Sequence, residues 1–391
     1  MLYIVTGKYP KDTSMSLDQI LFGESNTSSH KERTYPGTVT KCYKDMPDGL
    51  YTKDDIQRLI NKLAEYVQIY EKVEKKYHHF EIPKKSGGMR HICEPYETLK
   101  FAQIELRKLI TNDIGPLYHT SAFAYCKGRN TLNCIKKHQA NKSNWFLKLD
   151  FSDFFGSTNK NFVMSQLRKI VPFNLIIEDD IGKIMLEKSL DMCFLNNGLP
   201  QGTPISPMLT NIIMIPFDHE LNRRLHKKGL VYTRYADDIQ ISGRYHFDVN
   251  EIIKIVKEVV HQVQAPYTLN ETKTRFGSKK GKNWNLGLML NKDNKITIGH
   301  KQHKFLKANI FNFLMDEKNK HGWPIEKVEV LAGQIAYFKS IEPQTVQYIT
   351  TKVSNKVGLS FEQMLKKRMF NNKRRVYIMP TLPFAEPDFD F

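Results

Sequence analysis

The chain has 391 residues, of which 59 are Lys or Arg and 41 are Asp or Glu, a formal net charge of +18. An apolar fraction of 40 %, with 23 Phe and 18 Tyr, supplies two or three packed subdomains and excludes a disordered polymer. No apolar run approaches the roughly 20 residues of a membrane span, and the opening MLYIVTGKYPKD lacks the pattern of a secretory signal. The five cysteines, at 42, 93, 126, 134 and 193, form no CxxC pair, which fits a reducing compartment better than a disulfide framework or a zinc ribbon. The positive charge suits a polyanion, either nucleic acid or an anionic membrane surface, or else a solvated basic surface.

Taken in order, residues 25–33 read as a polar loop. Thr52 can cap a helix whose Ile56, Leu59, Ile60, Leu63 and Val67 share one face. Two extended segments, Tyr77–Pro83 and Met89–Ile92, flank a Ser-Gly-Gly turn and form a basic hairpin. Glu97–Ile110 returns to helix, and Phe146–Phe151 is a short apolar strand carrying a carboxylate. Pro204–Leu221 reads as one helix, and Leu230–Ser242 as a hairpin with Asp237 and Asp238 at its tip. A helix over Ile252–Val263 precedes strands at Trp284–Leu290 and Lys295–Ile298. Helical patterns then cover Phe305–Met315, Glu326–Phe338 and Thr345–Val357, so the chain reads as α+β with an all-helical end.

The chemistry concentrates in a carboxylate set. Asp150 sits at a strand end, and Asp237–Asp238 at a hairpin tip between apolar strands. Neighbouring carboxylates repel, so a bound cation must offset their clustering. Hard oxygen donors suit Mg²⁺, which also binds substrate phosphates. Two such ions about 4 Å apart can activate an attacking hydroxyl and stabilise a leaving oxygen. An ordinary polar turn is the alternative reading of the Asp pair.

The surrounding motifs resemble those of reverse transcriptases. Tyr235–Ala236–Asp237–Asp238 looks like their YxDD motif, and Leu149–Asp150–Phe151–Ser152–Asp153–Phe154–Phe155 is similar to the first palm motif. Leu199–Pro200–Gln201–Gly202–Thr203–Pro204–Ile205–Ser206–Pro207 resembles LPQGxxxSP. The hairpin residues Ile82–Arg90, with Glu94–Pro95 after them, resemble retron and related bacterial enzymes, as does Leu331–Phe338 in a thumb helix. The retron VTG triplet is replaced here by Asn285–Leu286–Gly287, and Asn133, Cys134 and His138 lack the spacing of NAxxH. The resemblance therefore points to the retron and defence-associated bacterial enzymes together.

The resemblance implies a right-hand polymerase with an N-terminal extension over 1–76 and fingers over 77–145. It places the palm over 146–299 with a fingers insertion within about 160–200, a helical thumb with a basic block over 300–375, and a tail over 376–391. By the same resemblance, Asp150, Asp237, Asp238 and the Phe151 carbonyl bind two Mg²⁺ ions, with Mn²⁺ as a substitute. Lys84 and Arg90 clamp the incoming triphosphate, and Phe155 gates against a ribose 2′-hydroxyl. Asp153, Gln201, Gly202 and Lys273 complete the nucleotide site. Lys366, Lys367, Arg368, Lys373, Arg374 and Arg375 form a basic block that contacts structured RNA or faces solvent.

The implied activity is RNA-directed DNA synthesis from dNTPs on a dedicated non-coding RNA, in antiviral defence in a bacterial cytoplasm. Retron synthesis of branched RNA–DNA is the second reading, and an RNA-holding scaffold with dispensable synthesis the third. The implied partners are template RNA, DNA product, and a second copy or a defence protein, with no membrane. Nucleic-acid binding should weaken steeply with salt.

Overall fold

A computed structural model describes residues 1–6, 39–43, 51–84, 87–115, 117–280 and 286–373, with backbone alone at 5–6, 39–43 and 370–373. The polar loop at 25–33, Trp284, Asn285, Arg374, Arg375 and the tail lie outside the described residues. The chain divides into two compact units, Met1–Ser278 and Lys279–Phe391.

The first unit opens with the antiparallel pair β1 (Leu2–Thr6) and β2 (Val39–Tyr43), followed by helix α1 (Lys53–Tyr70). Thr52 caps α1 as its sequence predicts: its Oγ1 accepts from the Asp55 N–H at 3.1 Å, and Asp55 Oδ2 accepts from the Thr52 N–H at 3.1 Å. This reciprocal box satisfies two backbone donors that a helix start leaves orphaned. Strands β3 (Tyr77–Pro83) and β4 (Met89–Pro95) form the expected hairpin, closed by the Lys84 N–H donating to the Gly88 carbonyl at 2.9 Å. Helices α2 (Glu97–Leu109), with a π-helical turn Ile110–Ile114 after it, and α3 (Thr131–Ala140) lead into β5 (Trp145–Ser152). Four helices follow: α4 (Phe154–Ser157), α5 (Lys160–Leu167), α6 (Phe173–Glu178) and α7 (Asp180–Asp191).

The single helix expected over Pro204–Leu221 is two, α8 (Ser206–Ile213) and α9 (Ile215–Lys227), with the break at Met214. Pro216 explains the break, because it has no N–H to donate one turn back and its ring crowds the preceding turn. Strands β6 (Val231–Tyr235) and β7 (Asp238–Gly243) follow, then α10 (Val249–Gln262), β8 (Thr268–Leu269) and β9 (Arg275–Ser278). Asp248 caps α10, its Oδ1 accepting from the Asn250 N–H at 2.8 Å.

The central sheet of this unit is wholly antiparallel, in the order β6-β7-β5, with β8 and β9 sharing the other edge of β5. Alternation along β5 assigns its two faces. Leu147, Leu149 and Phe151 point into the core, where Ile239 and Ile241 of β7 join them, and all five are buried. Lys148 and Asp150 point to the opposite face, across from Gln240 and Asp238 respectively. Beneath the end of β5, Phe151 stacks on Phe154 at 5.9 Å between centroids and meets Tyr267 at 5.1 Å and Phe217 at 5.8 Å. This aromatic floor holds the strand end that carries Asp150.

One buried histidine locks α3 to the hairpin β6–β7. His138 Nδ1 lies 2.6 Å from the Ser242 hydroxyl and Nε2 lies 2.8 Å from that of Thr233. Burial, with Lys137 adding to it, pushes the ring down to about 3, so it is neutral in the folded protein. A depressed histidine favours the fold above its ordinary value of 6.5, and that contribution drains away as pH falls towards 3. Stability should therefore drop by up to about 1.4 kcal/mol per pH unit from this ring across that window. Denaturant midpoints of His138→Gln, measured from pH 7 to 4, should start lower and fall more gently. Parallel curves would show that His138 does not titrate in this way.

In the second unit a short hairpin, β10 (Met289–Leu290) and β11 (Ile296–Thr297), precedes four helices. The strands are shorter than expected, and the hairpin groups with the helices rather than with the central sheet. The helices are α11 (Gly299–Lys318), α12 (Ile325–Ile341), α13 (Pro343–Val357) and α14 (Phe361–Lys373). Their core is built on Leu306, Ile310, Phe313, Val328, Leu331, Val346 and Phe361. The Glu342 carboxylate joins two of them, accepting from the Ile298 N–H at 2.9 Å and facing His303 Nε2 at 2.9 Å.

Candidate active site

Strand register builds the site. Asp150 on β5 and Asp238 on β7 are direct cross-strand partners on one face of the sheet. Directly opposed side chains in an antiparallel pair stand about 5 Å apart at Cβ, and like charges there destabilise the sheet. Asp237 sits between them in sequence, in the two-residue turn Ala236–Asp237 that joins β6 to β7. Burial comes first, with the Asp238 and Asp150 carboxylates adding to it, in pushing Asp237 up to about 7. Asp238 is also raised, chiefly by burial, with the Lys148 ammonium pulling the other way.

Two lysines answer part of this negative charge. Lys273 Nζ lies 3.0 Å from Asp150 Oδ2, and Lys148 Nζ lies 3.1 Å from Asp238 Oδ1. Lys273 was expected near the nucleotide phosphates and stands directly against a carboxylate of the trio. Lys148 was not expected at all. Its signal was present in the sequence, because it stands two residues before Asp150 and therefore on the same face of the strand.

The turn itself is strained and braced from below. Ala236 has φ +55°, a left-handed conformation that a non-glycine residue adopts at a cost of about 1–3 kcal/mol. Arg234, fully buried on the core face of β6, donates from Nη1 to the Ala236 carbonyl at 3.1 Å. The same guanidinium is held by fully buried Asp218 of α9, Nε to Oδ1 at 2.8 Å and Nη2 to Oδ2 at 2.7 Å. The Tyr232 hydroxyl donates to Asp218 Oδ1 at 2.7 Å, and Arg234 Nη1 also reaches Asn211 Oδ1 at 3.2 Å. The fork geometry of Arg matches this bidentate partner, and the Asp218 carboxylate holds the guanidinium firmly charged against the cost of burial. Reading the motif alone misses this network, although an arginine in register with Ile239 has to find a buried anion.

The other expected site residues lie on α4, on the loop before α8 and on the β3–β4 hairpin of the same unit. Phe155 is half-buried on α4, edge-on to Phe154, and its carbonyl accepts from the Leu199 N–H at 3.0 Å. That contact draws the Leu199–Gly202 segment against α4. It requires glycine at 198, where a Cβ would come within 2.3 Å of the Gly156 carbonyl oxygen. Asp153 is exposed at φ +42°, its carboxylate folded over α4, so that a Cβ on Gly156 would meet Oδ2 at 2.3 Å. The Gln201 carbonyl accepts from the Cys93 N–H at 2.8 Å, which ties the β3–β4 hairpin to this loop. Gly202, at φ +101°, allows the approach, since a Cβ there would meet Ile92 Cγ2 at 2.7 Å. Lys84 is exposed at the hairpin turn, and Arg90 is half-buried across from Ile82.

In the second unit the basic block separates into different roles. Lys366 and Lys367 are exposed on α14. Arg368 is half-buried, donating to the Trp323 carbonyl and lying 3.3 Å from Glu317 Oε1. It pins α14 to the α11–α12 region of the same unit. Of the remaining members, Lys373 is described by its backbone only.

The family model for reverse transcriptase (RNA-dependent DNA polymerase) matches residues 82–314. That range contains Asp150, Asp237, Asp238 and the Leu199–Pro207 loop. The chain is 28 % identical over 316 residues to the retron Ec73 reverse transcriptase of Escherichia coli, covering 78 % of this chain and 94 % of that one. It is 27 % identical over 303 residues to the retron Ec83 reverse transcriptase of the same organism, covering 74 % and 90 %. Among solved structures, telomerase from Candida albicans aligns at a TM-score of 0.41 with 14 % identity, over 82 % of this chain and 65 % of that one. No helix among the described residues is long and apolar enough to cross a membrane. The chain belongs to the reverse transcriptase family, with a right-hand polymerase fold and RNA-directed DNA polymerase activity.

Proposed function

We propose that the chain copies a dedicated non-coding RNA into DNA for antiviral defence in a bacterium, using Asp150, Asp237 and Asp238 as its catalytic carboxylates. The observation that carries the catalytic part is the direct opposition of Asp150 and Asp238 across β5 and β7, with Asp237 in the adjoining two-residue turn. A fold that spends stability to hold three carboxylates together is made to receive cations. Their hard oxygens fit Mg²⁺, with Mn²⁺ as a substitute and the Phe151 carbonyl as a further ligand. When bound, two such ions supply activation of the attacking hydroxyl and stabilisation of the departing oxygen.

The protein's own share is positioning. The primer hydroxyl oxygen bonds to the α-phosphorus of the dNTP, the bond to pyrophosphate breaks, and the hydroxyl proton passes to solvent. Lys84 and Arg90 steady the triphosphate from the hairpin. Gln201 and Gly202 support the base pair, Asp153 borders the nucleotide, and Lys273 follows the charge of the departing pyrophosphate. Lys366, Lys367, Lys373, Arg374 and Arg375 contact template or product backbone, while Arg368 holds α14, on which Lys366 and Lys367 are exposed.

Phe155 under the sugar leaves no room for a 2′-hydroxyl. Phe155→Ala should raise ribonucleotide use relative to deoxynucleotide by about 10–200-fold, the range for one packing contact. Steady-state incorporation of matched dNTP and rNTP measures this, and unchanged discrimination would remove Phe155 from the gate.

A retron role, producing branched RNA–DNA, is the second reading. It is favoured by relatives that are retron reverse transcriptases and are covered over 90 % or more of their length. Sequencing nucleic acid that copurifies with the chain from cells decides the role. Unbranched DNA complementary to one non-coding RNA supports the first reading, a 2′–5′ branch supports the second, and RNA with no DNA contradicts both.

A further inference from the structure

The finger hairpin carries a cluster that the polymerase reaction does not use. His79 on β3 and Cys93 on β4 are direct cross-strand partners, and His91 stands two residues before Cys93 on the same face. His79 Nδ1 lies 3.1 Å from His91 Nε2 and 3.5 Å from Cys93 Sγ, and all three atoms fall within 4.8 Å of one another. The two imidazoles are stacked, with 17° between their planes. Both histidines are exposed, whereas Cys93 is buried. Among the described residues this is the one group of three His, Cys, Asp or Glu side chains whose ligand atoms all lie within 4.8 Å of one another, a closer gathering than that of Asp150, Asp237 and Asp238.

These separations are those of a metal tetrahedron. With metal–nitrogen bonds of about 2.05 Å and a metal–sulfur bond of about 2.3 Å, tetrahedral angles set N···N near 3.3 Å and N···S near 3.6 Å. Two edges are already within about 0.2 Å of these lengths. The third, between His91 and Cys93, is no longer than 4.8 Å. The donor set of two imidazoles and one thiolate is soft and borderline, which suits zinc and disfavours Mg²⁺. It therefore differs in chemical class from the carboxylate set on the central sheet.

We propose that His79, His91 and Cys93 bind one zinc-class divalent ion, with water in the fourth position, and so brace the finger hairpin. Binding forms the sulfur–metal bond as the thiol proton leaves to solvent, with no change of oxidation state. The brace acts at a useful place. The Cys93 backbone N–H holds the Gln201 carbonyl, and Arg90 adjoins His91. An ion at these three ligands fixes β3 to β4 where the hairpin meets the loop.

Cobalt(II) titration of the full chain tests this without reference to DNA synthesis. The expected result is a thiolate-to-cobalt charge-transfer band and tetrahedral ligand-field bands that saturate at one equivalent and are displaced by Zn²⁺, whatever further cobalt the carboxylates take up. Cys93→Ser should lose the charge-transfer band, and His91→Gln, at an exposed position, should weaken binding at least tenfold while the fold is kept. Asp237→Asn should bind cobalt here as the native chain does, which separates this site from the carboxylates. Absence of a thiolate band, its persistence in Cys93→Ser, or equal affinity in His91→Gln would overturn the proposal.

Discussion

Asp237→Asn will stay folded and lower RNA-templated DNA synthesis by at least about 10³-fold, the scale for removing a preorganised electrostatic group. The substitution keeps the shape of the turn and removes one of three crowded negative charges, so its thermal midpoint should hold or rise. It should also remove a pH dependence. With Asp237 as a metal ligand, as proposed, protons should compete with metal for its carboxyl, which is pushed up to about 7 by burial and by Asp238 and Asp150. Apparent metal affinity should therefore climb as pH rises through about 7 and level off above it. Metal titrations of primer extension at pH 6 and pH 8 read the effect. Equal metal affinity at both would place the titration elsewhere, and full activity of Asp237→Asn would remove it from the catalytic set.

The second large effect lies under the turn rather than in it. Asp218→Ala leaves the Arg234 guanidinium buried and unpaired, which costs about 3–5 kcal/mol. At roughly 2–4 °C per kcal/mol for a unit of this size, the thermal midpoint should drop by about 10 °C. Replacing the whole group by apolar residues (Tyr232→Phe, Asp218→Leu and Arg234→Met together) should recover most of that loss, because buried ion pairs add little net stability over well-packed hydrocarbon. It should not recover synthesis, because the Ala236 carbonyl then has no guanidinium to hold its left-handed conformation. Stability and synthesis restored together would make the network a fold element only. Stability restored with synthesis still low identifies Arg234 as a positioning residue for Asp237.

Local pattern made much of this molecule readable. The Thr52 cap, the alternation along Phe146–Phe151 and the Asp pair flanked by apolar strands each follow from side-chain chemistry over a few residues. Pro216 lies inside an otherwise helical pattern, and the break it causes is local too, though the strong apolar run around it obscured the signal. What stayed hidden depends on register between distant segments. Lys148 meets Asp238, and Arg234 meets Asp218, only once β5, β6, β7 and α9 are assembled. The cluster of His79, His91 and Cys93 likewise needs a hairpin register that brings 79 opposite 93. Arg368 shows the converse: a basic run in sequence suggests one shared surface, yet this member turns inward to Trp323 and Glu317.

The most direct test of the central claim is primer extension by the purified chain with Mg²⁺, dNTPs and a primed RNA of defined sequence. The carboxylate site predicts metal-dependent, template-directed extension that Asp150→Asn and Asp237→Asn both abolish while RNA binding is kept. A folded native chain that extends no primer on any of several RNA templates, or an Asp150→Asn chain that extends as well as the native one, would contradict it.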